Sequence, residues 1–128
     1  MKILLDTHFI LWALLDQKRL SSRARAIIEA EENQILFSVA SLWEIAIKRT
    51  SGKRDFKVAP QILRRTMLES DYLELSLAAE HVFETSKLPL LHKDPFDRIL
   101  IAQAMVEGMT LLTADAVVAK YPGPIQLV

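Results

Sequence analysis

The sequence predicts an α/β protein: a three-layer α/β/α sandwich around a central, mainly parallel sheet of four or five strands. Three features carry that expectation. Ile3-Leu4-Leu5 and Ile35-Leu36-Phe37 are short apolar runs without polar alternation, as strands buried on both faces require. The intervening segments instead carry apolar residues at helical spacing. Strands separated by helices throughout need crossover connections, and crossovers make parallel pairs.

The elements follow in order. After the first strand, Thr7 to Leu15 is a helix with apolar residues too dense for a solvent-facing surface, Phe9, Ile10 and Trp12 among them. Ser21-Ser22 caps a second helix to about Ala30. Ile35 to Phe37 is the next strand, Val39 to Lys48 a third helix, and Thr50-Ser51-Gly52-Lys53 a break with turn chemistry. Pro60 suits the first turn of a helix to about Glu69, followed by a short strand at Tyr72 to Leu75. Ser76 begins a fifth helix through about Ser86, and Lys87 to Lys93 is a loop. Asp94-Pro95 opens a sixth helix that Gly108 stops. Thr110 to Leu112 is a strand, Ala114 to Lys120 a short helix, and Ile125 to Leu127 the last strand.

The 128 residues, 51% hydrophobic, are enough for one domain over 1–128 that buries roughly two-thirds of its unfolded surface. With no cysteine, a disulfide scaffold, a thiolate zinc site and a cysteine nucleophile are excluded, and a reducing compartment, the cytoplasm, is the default expectation. No apolar stretch approaches the roughly 20 residues of a membrane helix, and the opening Met1-Lys2-Ile3-Leu4-Leu5-Asp6 lacks the pattern of a secretory leader. The 16 basic and 16 acidic residues balance, which argues against a DNA-coating role. Charge is uneven, however: Lys48, Arg49, Lys53, Arg54, Lys57, Arg64 and Arg65 face only Asp55, while Glu69 to Glu84 holds five acids and no Lys or Arg. The basic stretch is either a solvated helix pair or a surface for a polyanion.

Asp6, Glu44, Asp97 and Asp115 are the informative acids. Singly, each has a structural explanation: Asp6 as a helix cap, Ser41-Leu42-Trp43-Glu44 as a capping box, Asp94-Pro95-Phe96-Asp97 as a capped first turn, Asp115 near the positive end of a short helix. Together they mean more. In a parallel sheet the carboxyl ends of the strands share one edge, where ligands bind, and all four acids follow strands or open helices there. Two such charges about 5 Å apart repel by roughly 3 kcal/mol at an effective dielectric near 20, while a helix dipole returns only about 0.3 to 1 kcal/mol per acid. A cation must therefore neutralise them, or some are protonated. All-oxygen ligands select a hard ion, Mg2+ with Mn2+ as the alternative, which suits phosphodiester hydrolysis by a metal-activated water.

Thr7, Ser41 and Thr113 are hydroxyls suited to orienting these acids, or to capping. Asp94 is read as a cap and orienter, and Arg98 as a partner for a carboxylate or phosphate. His8, His81 and His92 receive no ligand role, His92 having the best claim of the three. Trp12 and Trp43 lie in apolar stripes and are read as core rather than as base-stacking platforms. No glycine-rich phosphate loop, zinc-protease motif or serine nucleophile elbow is present.

Leu4-Leu5-Asp6-Thr7-His8, Ser41-Leu42-Trp43-Glu44-Ile45, the run His92-Lys93-Asp94-Pro95-Phe96-Asp97-Arg98 continuing to Ala104, and Leu112-Thr113-Ala114-Asp115 together resemble the PIN domain. The resemblance is to the VapC-type toxins of bacterial toxin-antitoxin pairs in particular, and it covers nearly the whole chain. It implies a PIN-like parallel sheet flanked by helices, a Mg2+-dependent endoribonuclease, frequent homodimers and inhibition by a small cognate antitoxin protein. It also implies that Asp6, Glu44 and Asp97 are the main metal-binding acids, with Asp115 the fourth, often reached through water. Asp94 matches one subgroup only, and Thr50 to Pro60 matches no motif.

The sequence thus supports an RNA-cleaving toxin in which these acids hold the metal. Lys48, Arg49, Lys53 and Arg54 are expected to track the RNA backbone. Two alternatives stand beside it: a phospho-receiver-like Mg2+-binding signalling domain, and a nuclease for DNA or for particular nucleic-acid structures.

Overall fold

The computed structural model of the chain describes residues 1–53 and 56–128; Arg54, one of the expected backbone-contacting cations, lies outside them, as does Asp55. Five strands, β1 (Lys2–Leu5), β2 (Gln34–Ser38), β3 (Leu73–Leu75), β4 (Thr110–Thr113) and β5 (Ile125–Leu127), form one sheet in the order β3-β2-β1-β4-β5, with every neighbouring pair parallel. The described helices are α1 (Thr7–Leu15), α2 (Ser22–Glu29), α3 (Val39–Thr50), α4 (Pro60–Glu69), α5 (Ala79–Thr85) and α6 (Pro95–Glu107).

Alternation along β1 divides the core into two layers. Leu4 is paired with Leu36 on one side and Leu111 on the other, and all three pack with Leu100, Ile101 and Ala104 of α6. Ile3 and Leu5 point the opposite way, onto Phe9 and Ile10 of α1, Ile45 of α3 and Leu63 and Met67 of α4. The sheet is thus covered on both faces, which is why its central strands need no polar residues.

Topology fixes where the chemistry can sit. The chain winds outward from β1 through β2 to β3, then returns to place β4 on the other side of β1. Because crossovers between parallel strands are right-handed, that reversal moves the later helices to the opposite face and opens a crevice beyond the ends of β1 and β4. A receiver-like sheet would run in the order 2-1-3-4-5; the order found here removes that alternative.

The third helix begins at Val39 as expected but with a different cap, and two later elements differ in extent. α3 starts at Val39, and its cap is Ser38, whose hydroxyl accepts the Ala40 N–H at 3.0 Å; Ser41 therefore sits inside the helix and the expected capping box does not form. α5 starts three residues later than Ser76, because the His81 ring accepts the Ala78 N–H at 2.9 Å and ends the extended entry there. The expected helix from Ala114 is reduced to a 3-10 turn over Val118–Lys120. The Thr113 and Asp115 side chains take the Asp115 and Val117 N–H groups at 3.0 and 2.8 Å, and such local bonds favour a turn over a helix. Among the described residues no helix is long and apolar enough to cross a membrane.

Gly108 closes α6 with φ +68°, and a Cβ there would meet nothing within 4 Å. Gly108→Ala should accordingly cost only the conformational penalty, about 1 kcal/mol, with unchanged far-ultraviolet dichroism. Leu4→Ala, at a fully buried central position, should cost about 2 to 5 kcal/mol. Urea denaturation measures both, and equal losses would contradict this division of the fold.

Candidate active site

Asp6 is delivered to the crevice by β1 and held by its own helix. Its Oδ1 accepts the Phe9 N–H at 2.9 Å as the cap of α1, and its Oδ2 accepts the Thr113 hydroxyl, from the end of β4, at 2.6 Å. Thr113 is fully buried, so the bond ties the two strands that flank the crevice. Glu44, one turn into α3 and 2% exposed, accepts the Thr7 hydroxyl at 2.6 Å on Oε1 and pairs with Lys48 through Oε2. Ser41 lies 3.0 Å from the same Thr7 oxygen and completes a buried hydroxyl pair under the acid.

Asp97 projects from the first turn of α6. Asp94 caps that helix, its Oδ1 accepting the Phe96 and Asp97 N–H groups at 2.9 and 3.3 Å, while Asp97 Oδ2 lies 2.8 Å from His92 Nε2. Asp115 stands exposed at the rim, where its Oδ1 caps the turn after β4.

Among the described residues the three potential ligand atoms that lie within 4.8 Å of one another are those of His92, Asp94 and Asp97, and Asp6, Glu44 and Asp115 are linked to this neighbourhood through their charges. Burial raises the Asp6 carboxyl from 3.8 to about 6, the Thr113 and Phe9 bonds pull it back, and the charges of Glu44 and Asp115 push it up again. Asp97 also rises to about 6, chiefly through burial and then through the charges of Asp94, Glu44 and Asp6, with the His92 bond opposing. Acids from four separate segments of the chain thus feel one another. The donor set is oxygen throughout except for His92, which fits a divalent cation held mainly by carboxylates.

Other expected residues point elsewhere. Among the described residues Arg98 meets no carboxylate: its guanidinium donates to the carbonyls of Pro89 and Thr85, both at 2.9 Å, and to the Tyr121 hydroxyl at 3.1 Å, pinning the loop before α6. Lys48 turns inward to Glu44 and also lies over the Phe56 ring. Arg49 donates to the Lys57 carbonyl at 3.2 Å, and both it and Lys53 are exposed. Trp12 packs edge-on against Phe9, as expected of a core residue, but Trp43 does not: it is 59% exposed and meets Phe96 edge-on at 5.2 Å. Its position on α3 directly beside buried Glu44 turns it to the outer side of that helix. There it lines an apolar groove of about 580 Å³ with Val82, Leu90 and Phe96, adjacent to the acids but lined by none of them.

Two histidines carry more than the sequence indicated. His81 is 1% exposed; its Nδ1 accepts from Ala78, so Nε2 bears the hydrogen and donates to Glu107 at 2.8 Å, stitching α5 to α6. His92 reaches Asp97 from a loop without periodicity, and its place next to the Asp94-Pro95 helix start was the one available signal.

A carboxyl whose folded pKa lies above its unfolded value binds its proton more tightly in the folded chain. Its contribution to stability is therefore full at low pH and is lost as pH rises from about 4 to about 6. For Asp6, raised from 3.8 to about 6, the loss is about 3 kcal/mol. Asp6→Asn should thus raise the thermal midpoint of the metal-free protein near pH 7, with the gain vanishing toward pH 4. Thermal denaturation in chelator across that range checks this, and a lower midpoint at neutral pH would contradict it.

Comparison with known proteins agrees with this geometry. The PIN domain profile matches residues 3–124. None of the curated proteins matches the chain in sequence. Among solved structures, the chain is similar to VapBC2 from Rickettsia felis bound to a DNA fragment from their promoter, with 18% identity, TM-score 0.75, and coverage of 100% of this chain and 99% of that one. VapBC-1 from nontypeable Haemophilus influenzae is similar at 14% identity and TM-score 0.66, covering 99% and 98%. DNA-bound VapBC from Salmonella typhimurium follows at 17% and 0.62, covering 98% and 97%. With the profile spanning nearly the whole length, the parallel five-stranded order and the acids at its edge belong to a known group: the chain is a member of the PIN domain family.

Proposed function

We propose that the chain is a VapC-type toxin, a divalent-metal-dependent endoribonuclease that hydrolyses RNA phosphodiester bonds and is held in check by a cognate antitoxin protein. The observation that supports this reading is the mutual repulsion of acids at the crevice beyond β1 and β4: Asp6 feels the charges of Glu44 and Asp115, Asp97 those of Asp94, Glu44 and Asp6, and both are raised to about 6 chiefly by burial. End-to-end similarity to chains from VapBC complexes supports the toxin and its antitoxin partner. A homodimer and action in the cytoplasm belong to the same reading.

Asp6, Glu44 and Asp97 are the residues proposed to hold the cation, and Mg2+ or Mn2+ matches their hard oxygens. When bound, that ion offsets the carboxylate charge, polarises phosphate oxygens and lowers the pKa of a water. The protein's own part is positioning. Thr113 and the Phe9 N–H fix both oxygens of Asp6, and Thr7 fixes one oxygen of Glu44, so little side-chain freedom is lost on loading. Lys48 stands against the other Glu44 oxygen and holds it in place. Asp115 at the rim accepts a hydrogen bond from the attacking water and aims it. The water oxygen bonds to phosphorus and the P–O3′ bond breaks. One proton of the attacking water ends on the departing 3′ oxygen, which leaves as a hydroxyl, the other passes to solvent, and the phosphate remains as a 5′-phosphate on the downstream fragment. Arg49 and Lys53, both exposed, supply backbone attraction.

Purified protein freed of copurifying inhibitor should cleave RNA with Mg2+ or Mn2+, leaving 5′-phosphate ends, and chelator should abolish the activity. Asp6→Asn and Asp97→Asn should each lose about a hundredfold or more. Full activity in either variant would sink the assignment, and cleavage of single-stranded DNA in place of RNA would make the protein a DNA nuclease instead. Charge reversal at Arg49 or Lys53 should weaken binding and lower the salt dependence by about one unit of slope; an unchanged slope would remove these residues from the RNA path.

A further inference from the structure

His92 reaches the carboxylate centre without a role in the mechanism above. Its Nε2 is 2.8 Å from Asp97 Oδ2, and one donor atom from each of His92, Asp94 and Asp97 lies within 4.8 Å of the other two. Adjacent donors on an octahedron with bonds of about 2.1 Å sit about 3.0 Å apart, and opposite donors about 4.2 Å. The His92–Asp97 separation of 2.8 Å is close to that of adjacent donors, and Asp94 stands beside the pair. Asp94 commits Oδ1 to two backbone N–H groups.

The placement of His92 is built from outside its own loop. The hydroxyl of Tyr121, a residue 3% exposed, accepts the His92 N–H at 2.8 Å and donates to the His92 carbonyl at 3.2 Å. Arg98 donates to that same hydroxyl while gripping the Pro89 and Thr85 carbonyls. The segment after β4 and the first turn of α6 thus fix the backbone of the one residue whose ring meets Asp97. A metal ligand requires that degree of support, whereas an exposed ion pair does not. The other histidines are differently engaged: both ring nitrogens of His81 are taken by Ala78 and Glu107, and His8 packs against the Trp12 and Phe56 rings.

We propose that His92 Nε2 is a nitrogen donor to the divalent cation held at Asp97, so that the centre takes a first-row transition ion such as Mn2+ in preference to Mg2+. The inference rests on the metal-centre reading above and narrows it to a class of ion. Imidazole favours transition ions, whereas carboxylate and water ligands suit Mg2+ and Mn2+ alike. Loading the ion replaces the His92–Asp97 hydrogen bond with two bonds to one metal, and the clamp on the His92 backbone stays in place.

The test is electron spin-echo envelope modulation of Mn2+ added to the full chain, which reads nitrogen bound to the ion directly. The expected result is a nitrogen modulation that changes when histidine is labelled with the heavy nitrogen isotope, disappears in His92→Gln and persists in His8→Gln. Competition calorimetry should show the Mn2+ to Mg2+ affinity ratio falling about tenfold or more in His92→Gln. Bound Mn2+ with oxygen-only coordination overturns this inference and leaves the metal centre standing; failure of Mn2+ to bind at all overturns both. Isotope labelling uses the unaltered chain, so misfolding of a variant cannot remove the test.

Discussion

Carboxylates that repel one another are held at the carboxyl edge of a parallel sheet, and the rest of the structure depends on that constraint. Asp6 and Glu44 are almost wholly buried, and the charges of neighbouring acids act against ionisation of Asp6 and Asp97. The fold tolerates this through a few placed donors: the Thr113 hydroxyl, the Phe9 N–H, the Thr7 hydroxyl and the Lys48 ammonium. These offset the cost without cancelling it, since both Asp6 and Asp97 remain well above the usual carboxylate range. A divalent ion of the kind proposed above would relieve this repulsion.

Sheet topology is the reason such distant residues meet. β1 is hydrogen-bonded to β2 and β4, so the residues following β1 and β4 emerge side by side although they are more than a hundred positions apart. Thr113 reaches Asp6 across that gap with a hydrogen bond of 2.6 Å. Opposite alternation at Leu4 and Leu5 then requires helices on both faces, and the two helices that bring Glu44 and Asp97 begin at this edge.

Much of this was legible in one dimension. Short apolar runs located all the central strands, because burial on both faces leaves no other composition open to them. Asp94-Pro95 and Gly108 bounded α6 because each carries a backbone preference that few residues share. The acids could be grouped because strand ends in a parallel sheet share an edge. What escaped depended on competition between partners. Ser38 and Ser41 are both plausible caps by spacing, and only packing decides that Ser41 goes under Glu44. Trp43 fits an apolar stripe, but the side of α3 that faces the core is set by Ile45 and Glu44, which leaves the indole outside. His81 and His92 find partners 26 and 5 residues away through contacts between helix and helix or loop and helix, for which no periodicity exists.

Asp6 and Asp97 near a pKa of about 6 give the account its sharpest consequence, since a cation that binds there must displace protons. Calorimetric titration of Mg2+ or Mn2+ into the metal-free chain, in buffers of different ionisation enthalpy, counts them. Near pH 6 about one proton per chain should be released, falling toward none near pH 8. Metal uptake with no proton released near pH 6, or no uptake at all, would contradict it.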